Sequence, residues 1–151
     1  MYGRPKVEIG VYLINDSKTK ILLGKNILDP YWKLVSGKLK YSEDFEESAR
    51  KNLIEQINIE IERDRLNFLG SFNSIDREHN LHNIDINYYV VLTENEEKEI
   101  QSQNLNSYQG WKWFSYEDIQ TKSKEIFCGI VNLLKKNSIR SIQQILTISS
   151  N

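Results

Sequence analysis

Two amides and one carboxylate, Asn52, Glu55 and Gln56, have a spacing that brings them onto one face of a helix. Side chains at positions i, i+3 and i+4 of a helix converge in this way. Their oxygens can bind a hard cation such as magnesium, but an amide contributes a dipole without net charge. Neither amide can act as a general base near neutral pH. The cluster therefore carries one ionised group, Glu55, and would bind a hard cation only weakly.

More carboxylates precede this cluster, at Glu43, Glu46 and Glu47. Together with the cluster they could form a relocated and weaker metal site, for which Glu43 and Glu47 are the candidate ligands. The alternative is that Glu46 is solvated and that the other two pair with Lys51 or Arg50 on the helix surface. The residues alone leave both interpretations open.

An amphipathic helix must position these groups. Apolar residues recur every four positions from Phe45 to Ile57, which predicts a helix over about residues 42–57. Ser42 is a suitable N-cap, and Asn58 tolerates the left-handed conformation that often ends a helix.

Short apolar or alternating runs on both sides of this helix predict strands, at residues 7–14, 20–24, 31–35, 66–74, 84–93 and 110–114. Residues 94–101 form a charged connection of helical character, Ser115 can cap a short helix, and a longer helix is predicted over 124–136. The polar stretch 76–85, with His79 and His82, is interpreted as a solvated turn or loop rather than a metal site. This arrangement predicts a mixed sheet that is covered on both faces.

The composition is that of one globular domain. The chain has 151 residues, 39% of them hydrophobic and 27% charged, and a net charge of −1. Mixed charges give no basic footprint for nucleic acid. We expect no transmembrane segment, because no run approaches the roughly 18 apolar residues required, and no signal or transit peptide. The single cysteine, Cys128, excludes an internal disulfide, fits the cytoplasm or another reducing compartment, and is predicted to be buried.

The segment from Gly37 to Ile59 resembles the Nudix box. That family's pattern is Gly, five residues, Glu, seven residues, then Arg-Glu-aliphatic-any-Glu-Glu-any-Gly-aliphatic. The matching residues are Gly37, Glu43, Leu53, Glu55 and Ile59, and Lys51 keeps the charge of the arginine. The residues that depart from the pattern are Asn52, Gln56 and Asn58.

Other segments are similar to the MutT-like nucleotide diphosphatases of the same superfamily. They are Arg4-Pro5 before the first strand and residues 21–25, 31–34 and 110–114, in the family's order over roughly residues 4–136. The resemblance implies a mixed α/β fold, the Nudix α/β/α sandwich, in which a mixed central sheet lies between helices. It places this domain at residues 1–137 and leaves residues 138–151 as an apolar tail that packs on the domain or on a partner.

The resemblance also implies a chemistry. In the family, a water activated by magnesium attacks a diphosphate linked to a nucleoside, and carboxylates at 52, 55 and 56 hold the metal with a backbone carbonyl near Gly37. Here three carboxylates have become one, so the resemblance implies that Glu55 is the residual catalytic and metal-binding group and that magnesium is absent or weakly bound. We therefore predict a catalytically impaired pseudoenzyme that acts as a structural or binding subunit, with a protein partner, a larger assembly or a nucleotide as its ligand. The alternative is an active magnesium-dependent hydrolase, since relatives such as the GDP-mannose hydrolases depart from the box and still work.

The predicted substrate-binding residues are Gly37, Lys51, Trp32 and Tyr88. Tyr88 and Tyr89 point to opposite sides of a strand, so one of them is expected to line the cleft. Trp111 and Trp113 share a face, where packing in the core or the cleft wall is favoured over base stacking.

Overall fold

A computed structural model of the chain describes residues 3–102 and 109–150. The strands are β1 (Lys6–Ile14), β2 (Lys20–Asn26), β3 (Val35–Lys38), β4 (Asn67–Asp76), β5 (Leu81–Val91) and β6 (Gln109–Ser115). The α-helices are α1 (Phe45–Ile57), α2 (Glu94–Ser102), α3 (Tyr116–Thr121) and α4 (Cys128–Lys136). Short 3₁₀ segments occur at Arg63–Arg65, Ser123–Glu125 and Ile142–Ser150.

The described strands form one mixed sheet in the order β4-β5-β1-β2-β6, and β3 also pairs with β1. β1 is parallel to β5 along its whole length and antiparallel to β2 and β3. β3 pairs with the first half of β1, whereas β2 meets β1 only at Ile14. A mixed sheet between helices is the predicted fold class, which is thereby confirmed.

The sheet separates two apolar cores because successive side chains of a strand point to opposite faces. From β1, Ile9, Val11 and Leu13 face α1, whose Leu53 and Ile57 are fully buried against them. The second core lies on the other face, and its members are Tyr12, Ile14, Ile130, Leu133, Ile139, Ile142 and Ile145, among others. Part of the C-terminal tail is therefore packed on this domain.

The start of α1 differs from the prediction. The helix begins at Phe45, and its N-cap is Asp44 rather than Ser42, which lies in the preceding turn at φ 69°. The Asp44 carboxylate accepts a hydrogen bond from the Glu47 backbone N–H at 2.8 Å, and the Glu47 carboxylate accepts one from the Asp44 N–H at 3.1 Å. This reciprocal capping box needs a carboxylate three residues after the cap, which Ser42 lacks. The left-handed Asn58 at the other end is confirmed, at φ 51°.

Two further segments correct the sequence-based prediction. Residues 31–34 do not form a strand, because Trp32 pairs with the segment before α4 and Lys33 with Gly24 through isolated bridges only, and β3 begins at Val35. The predicted loop at 76–85 is mostly strand, since β4 extends to Asp76 and β5 begins at Leu81. β5 corresponds to the strand predicted at residues 84–93, but it begins three residues earlier, at Leu81, because its first residues are largely polar.

The helices near the C-terminus are short. α4 begins at Cys128 rather than at residue 124, and Cys128 is exposed in its first turn, so the predicted burial of this thiol is wrong. Ser115 caps α3 as predicted, through a capping box with Asp118. No helix in the described parts of the chain is long and apolar enough to cross a membrane.

An ion pair connects α2 to the start of β4. Arg65 Nη1 lies 2.6 Å from Glu96 Oε2, and Nη2 lies 2.7 Å from Oε1, so the pair is bidentate. The Arg65 guanidinium holds the pKa of Glu96 below its usual value. A carboxyl whose pKa is lowered on folding stabilises the protein above its unfolded-state pKa, and this contribution is lost as the pH falls through the folded-state pKa.

We therefore expect Glu96→Gln to lower the free energy of unfolding by roughly 0.5–1 kcal/mol at pH 7, a small value because the pair is partly exposed. The difference from wild type should shrink as the pH falls through the lowered pKa of Glu96, where this carboxyl becomes protonated. Urea unfolding at pH 7, 5 and 3 measures it, with the exposed Glu60→Gln as control. Equal stability of wild type and Glu96→Gln at pH 7 would contradict the prediction.

Candidate functional site

The C-terminal half of α1 lies against β3, and two of the predicted site residues make this junction. Gln56 Nε2 donates a hydrogen bond to the Ser36 carbonyl oxygen at 2.7 Å. Asn52 packs on Gly37 so closely that a Cβ at Gly37 would lie 2.5 Å from Asn52 Oδ1. Only glycine leaves room for this contact. The structure thus brings Gly37, Asn52 and Gln56 together.

The junction presents hydrogen-bond donors where a cation would need anionic oxygens. The Gln56 amide N–H points at the Ser36 carbonyl, and Asn52 Nδ2 is buried with no hydrogen-bond partner among the described residues. Magnesium requires near-octahedral oxygen ligands and is strongly stabilised by carboxylates. The residues at this junction do not fit that ion.

The other candidate ligands have different partners. Glu43 accepts a hydrogen bond from the Lys40 backbone N–H at 3.0 Å, and its second oxygen lies 3.6 Å from Lys51 Nζ. Glu47 belongs to the capping box of α1, whereas Glu55 is exposed. These three carboxylates are not among the described groups whose ligand atoms lie within 4.8 Å of one another. The structure therefore does not gather them into one cluster.

A small acidic group with one histidine does occur elsewhere, in the turn after β4. It consists of Asp76, Glu78 and His79, and His79 Nδ1 is 2.7 Å from an Asp76 oxygen. His82 is not part of it and instead bonds Asn73 Oδ1 at 3.0 Å. The group is largely exposed, and surface carboxylates commonly occur without a metal.

The predicted aromatic contacts lie outside the cleft. Tyr88 is buried beneath α1, and this burial raises its pKa to about 12. Tyr89 packs against the second core. Trp32 packs on Phe114, with ring centroids 5.2 Å apart. Neither Tyr88 nor Trp32 lines the two cavities described next.

Two adjoining cavities open beside the junction. The larger, of about 340 Å³, is an open cleft lined by Ser36, Gly37, Gln56, Trp111, Lys33 and Lys38, among others. The smaller, of about 150 Å³, lies between the β1 and β5 strands and α4. Trp111 and Trp113 both pack against the first core, and Trp111 also forms part of the cleft wall. The two cavities share Glu8, Lys33, Leu34, Ser36 and Lys38, so they form one continuous recess.

The smaller cavity contains polar residues that the sequence analysis did not select. They are Glu8 on β1 and Asn83, Asp85 and Asn87 on β5. Their signal was present in the sequence: polar residues at 83, 85 and 87 alternate with apolar ones, and so share one face of a strand. The polar stretch predicted at 76–85 overlaps the strand predicted at 84–93, so the periodicity is divided between a predicted loop and a predicted strand.

Two carboxyls lie side by side in this cavity. Glu8 and Asp85 are Cα partners on the parallel strands β1 and β5, and so point to the same face. The Ser74 hydroxyl donates a hydrogen bond to Asp85. Burial raises the pKa of Asp85, and burial followed by the nearby charge of Asp85 raises the pKa of Glu8.

This architecture is shared with known proteins. The chain matches the NUDIX domain model over residues 4–128 and therefore belongs to the Nudix family. Its fold is similar to a NUDIX hydrolase from Nitrosomonas europaea, with 13% identity, a TM-score of 0.68 and coverage of 89% of this chain and 88% of that one.

Two further solved structures share the fold. A MutT protein from Methanosarcina mazei Go1 has 16% identity and a TM-score of 0.67, over 90% of this chain and 95% of that one. The Ap4A hydrolase of C. elegans has 17% identity and a TM-score of 0.64, over 89% and 97%. At these identities the likeness concerns the fold alone.

Proposed function

We propose that this chain is a Nudix-fold binding or structural subunit whose hydrolytic activity is strongly attenuated or absent. The observation that carries the proposal is the 2.7 Å hydrogen bond from Gln56 Nε2 to the Ser36 carbonyl. This carbonyl immediately precedes Gly37, at the place where the resemblance implies a backbone ligand to the metal. An N–H donor occupies one of the two lone pairs of this oxygen here, and at this position it supplies a donor in place of an anionic metal ligand.

The charge of the junction supports the same conclusion. Of the three positions that hold carboxylates in the family, only Glu55 carries a formal charge, and its side chain is exposed. Exposed single carboxylates bind divalent cations poorly because water competes effectively for both partners. A degenerate box of this composition keeps the helix and its packing while it removes the anionic ligands.

The recess itself supports a binding role. It is continuous, and Lys33 and Lys38 stand where its two parts meet. Lys33 Nζ lies 2.6 Å from an Asp29 carboxylate oxygen, so its charge is already paired, whereas the charge of Lys38 suits an anionic ligand such as the phosphate groups of a nucleotide. We propose a nucleotide as ligand, or a protein partner within a larger assembly, with magnesium absent or weakly bound.

An assay of purified protein tests the proposal. We expect hydrolysis of nucleoside di- and triphosphates and of nucleotide sugars, in millimolar magnesium, to be at least about a hundredfold slower than the roughly 10 s⁻¹ typical of enzymes. A hydrolysis rate at or above the roughly 10 s⁻¹ typical of enzymes would refute the attenuated site. Size-exclusion chromatography of the native protein at endogenous level separates a subunit of a larger assembly from a free monomer.

An active magnesium-dependent hydrolase is the second candidate function. Its specific support is Glu55, which is exposed and makes no ion pair shorter than 4.0 Å among the described residues. The solved structures with this fold also include proteins described as hydrolases. This candidate requires that Glu55→Gln abolish a measurable magnesium-dependent activity, whereas Glu60→Gln, at another exposed position, leaves it unchanged.

A further inference from the structure

The β4 strand lies at one end of the sheet and is paired on one side only. Its partner is β5, and no other backbone hydrogen bond joins β4 to a segment of the described chain. An open groove of about 210 Å³ runs beside its middle, between residues 71–74 and α4. The outer N–H and C=O groups of β4 are therefore available to pair with another strand.

This edge lacks most of the features that prevent two sheets from pairing. Natural edge strands are commonly protected by lysines, by prolines or by being short. β4 has ten residues, and none from Asn67 to Ile75 is charged or is a proline. By contrast, β6 at the other end of the sheet carries an exposed lysine, Lys112, in its middle. Two β4 edges can thus approach each other without repulsion between like charges.

A bulge places two apolar side chains of β4 on one face. The register with β5 shifts between Phe68 and Gly70, so Leu69 is an extra residue. Phe68 and Ile75 are an odd number of positions apart, and in a regular strand they would point to opposite faces. Because of the bulge both point to the face of Tyr88, where they are 51% and 50% exposed.

The positions of these two side chains are symmetric about Phe72. Counted along β5, the partners of Phe68 and Ile75 lie three residues on either side of the partner of Phe72. A two-fold axis through Phe72 would therefore place Phe68 of one copy opposite Ile75 of the other, at both ends of the contact. The same register places Ser71 opposite Asn73 of the second copy.

The polar pairs of this register are compatible as well. Ser71 and Asn73 are exposed on the same face, and a hydroxyl opposite an amide can form a hydrogen bond. The carboxylate of β4, on Asp76, lies opposite the Asn67 amide of the second copy rather than opposite a second carboxylate. Apolar residues thus meet apolar ones, and no like charges meet. This self-complementarity favours a second copy of the chain as the occupant.

We propose that the chain forms a reversible homodimer in which two β4 strands pair antiparallel about Phe72 and join the two sheets into one. A strand about 30 Å long in a layer about 10 Å thick covers on the order of 300 Å² on each copy, below the roughly 800 Å² of a stable interface. The contact is therefore weak. The inference goes beyond the function proposed above and does not depend on whether the cleft hydrolyses its ligand.

Analytical ultracentrifugation of the full chain, from low micromolar to several hundred micromolar concentration, tests the dimer. We expect a reversible shift from monomer to dimer with a dissociation constant of about 10–100 µM. A monomer at every concentration would overturn the proposal and leave the edge to a foreign peptide strand. Assembly beyond the dimer would also contradict it, because a two-fold contact closes on itself.

Charged substitutions on the exposed face of β4 test the register. In Ser71→Lys/Asn73→Lys, lysines of the two copies face each other, so the dissociation constant should rise at least about tenfold. In Ser71→Glu/Asn73→Lys, each glutamate faces a lysine of the other copy, so the dissociation constant should return to the wild-type value or below. Ser17→Lys/Gln120→Lys adds the charge of the first variant at exposed positions outside β4 and should dimerise as wild type does.

The two β4 variants separate the interface from its register. A dimer that is unaffected by the two lysines would show that β4 is not the interface. A dimer that is weakened by the lysines but not restored by the glutamate–lysine variant would reject pairing about Phe72. Thermal unfolding at low concentration checks that the variants are folded, as expected for substitutions at exposed positions.

Discussion

Replacing Asn52 and Gln56 together by glutamate should raise magnesium-dependent hydrolysis of nucleotide diphosphate bonds by at least about a hundredfold over wild type. The double variant places three carboxylates at i, i+3 and i+4 and frees the Ser36 carbonyl from the Gln56 N–H. A general base contributes about 10²–10⁴ and a bound metal adds several kcal/mol of transition-state stabilisation, so the expected gain is a conservative one. Chromatography of the nucleoside monophosphate formed from a panel of nucleotides and nucleotide sugars measures it.

Thermal unfolding supplies an independent readout of the same variant. Without metal, three carboxylates on one helix face repel one another, so Asn52→Glu/Gln56→Glu should melt below wild type in EDTA. Magnesium bound to the folded double variant should then raise the Tm of that variant by several degrees, whereas the Tm of wild type should not change. Asn52→Gln, which extends the side chain without adding charge, is the matched control. A double variant that gains neither activity nor magnesium-dependent stability would show that the junction is not the former metal site.

Leu53→Ala should lower the free energy of unfolding by about 2–5 kcal/mol, the range measured for buried leucines. Leu53, on α1, is 0% exposed and packs with Ile9 and Val11 of β1. Its truncation therefore leaves a cavity that the surrounding sheet cannot close. The adjacent residue gives the control: Ile54 is 44% exposed, and Ile54→Ala should cost less than about 1 kcal/mol. Urea unfolding at 25 °C measures both.

This pair of variants also reports on the site. α1 carries Asn52 and Gln56, so the packing of Leu53 holds their amides against β3. Similar losses for Leu53→Ala and Ile54→Ala would mean that α1 is not anchored by the first core.

The elements of the fold could be predicted where their periodicity was unambiguous. The four-residue repeat from Phe45 to Ile57 located α1, and the alternating β1 strand was found within one residue of its observed start. The N-cap was missed because Ser42 and Asp44 are both good caps. Only the carboxylate of Glu47, three residues after Asp44, decides between them.

Only part of the candidate site could be predicted from the sequence, and the physical reason differs from the one that applies to the helix cap. Helical spacing was sufficient to place Asn52 beside Gln56, but a sequence does not say which end of an amide faces a carbonyl. That orientation depends on the position of Ser36 on β3. The Glu8–Asp85 pair was missed because it depends on the parallel register of β1 and β5, two strands far apart in the chain.

The hydrogen bond between Gln56 and Ser36 has a consequence for how the cleft responds to its surroundings. Where a cation joins helix to strand, the wall of the cleft is ordered only when the ion is present, and part of the binding free energy is spent on that ordering. Here an amide of the chain itself makes the connection at 2.7 Å, so the wall is ordered when the protein folds. A ligand then meets a preorganised surface and loses less conformational entropy on binding. If the proposed binding role holds, we expect the affinity of this cleft to change little with the free magnesium concentration.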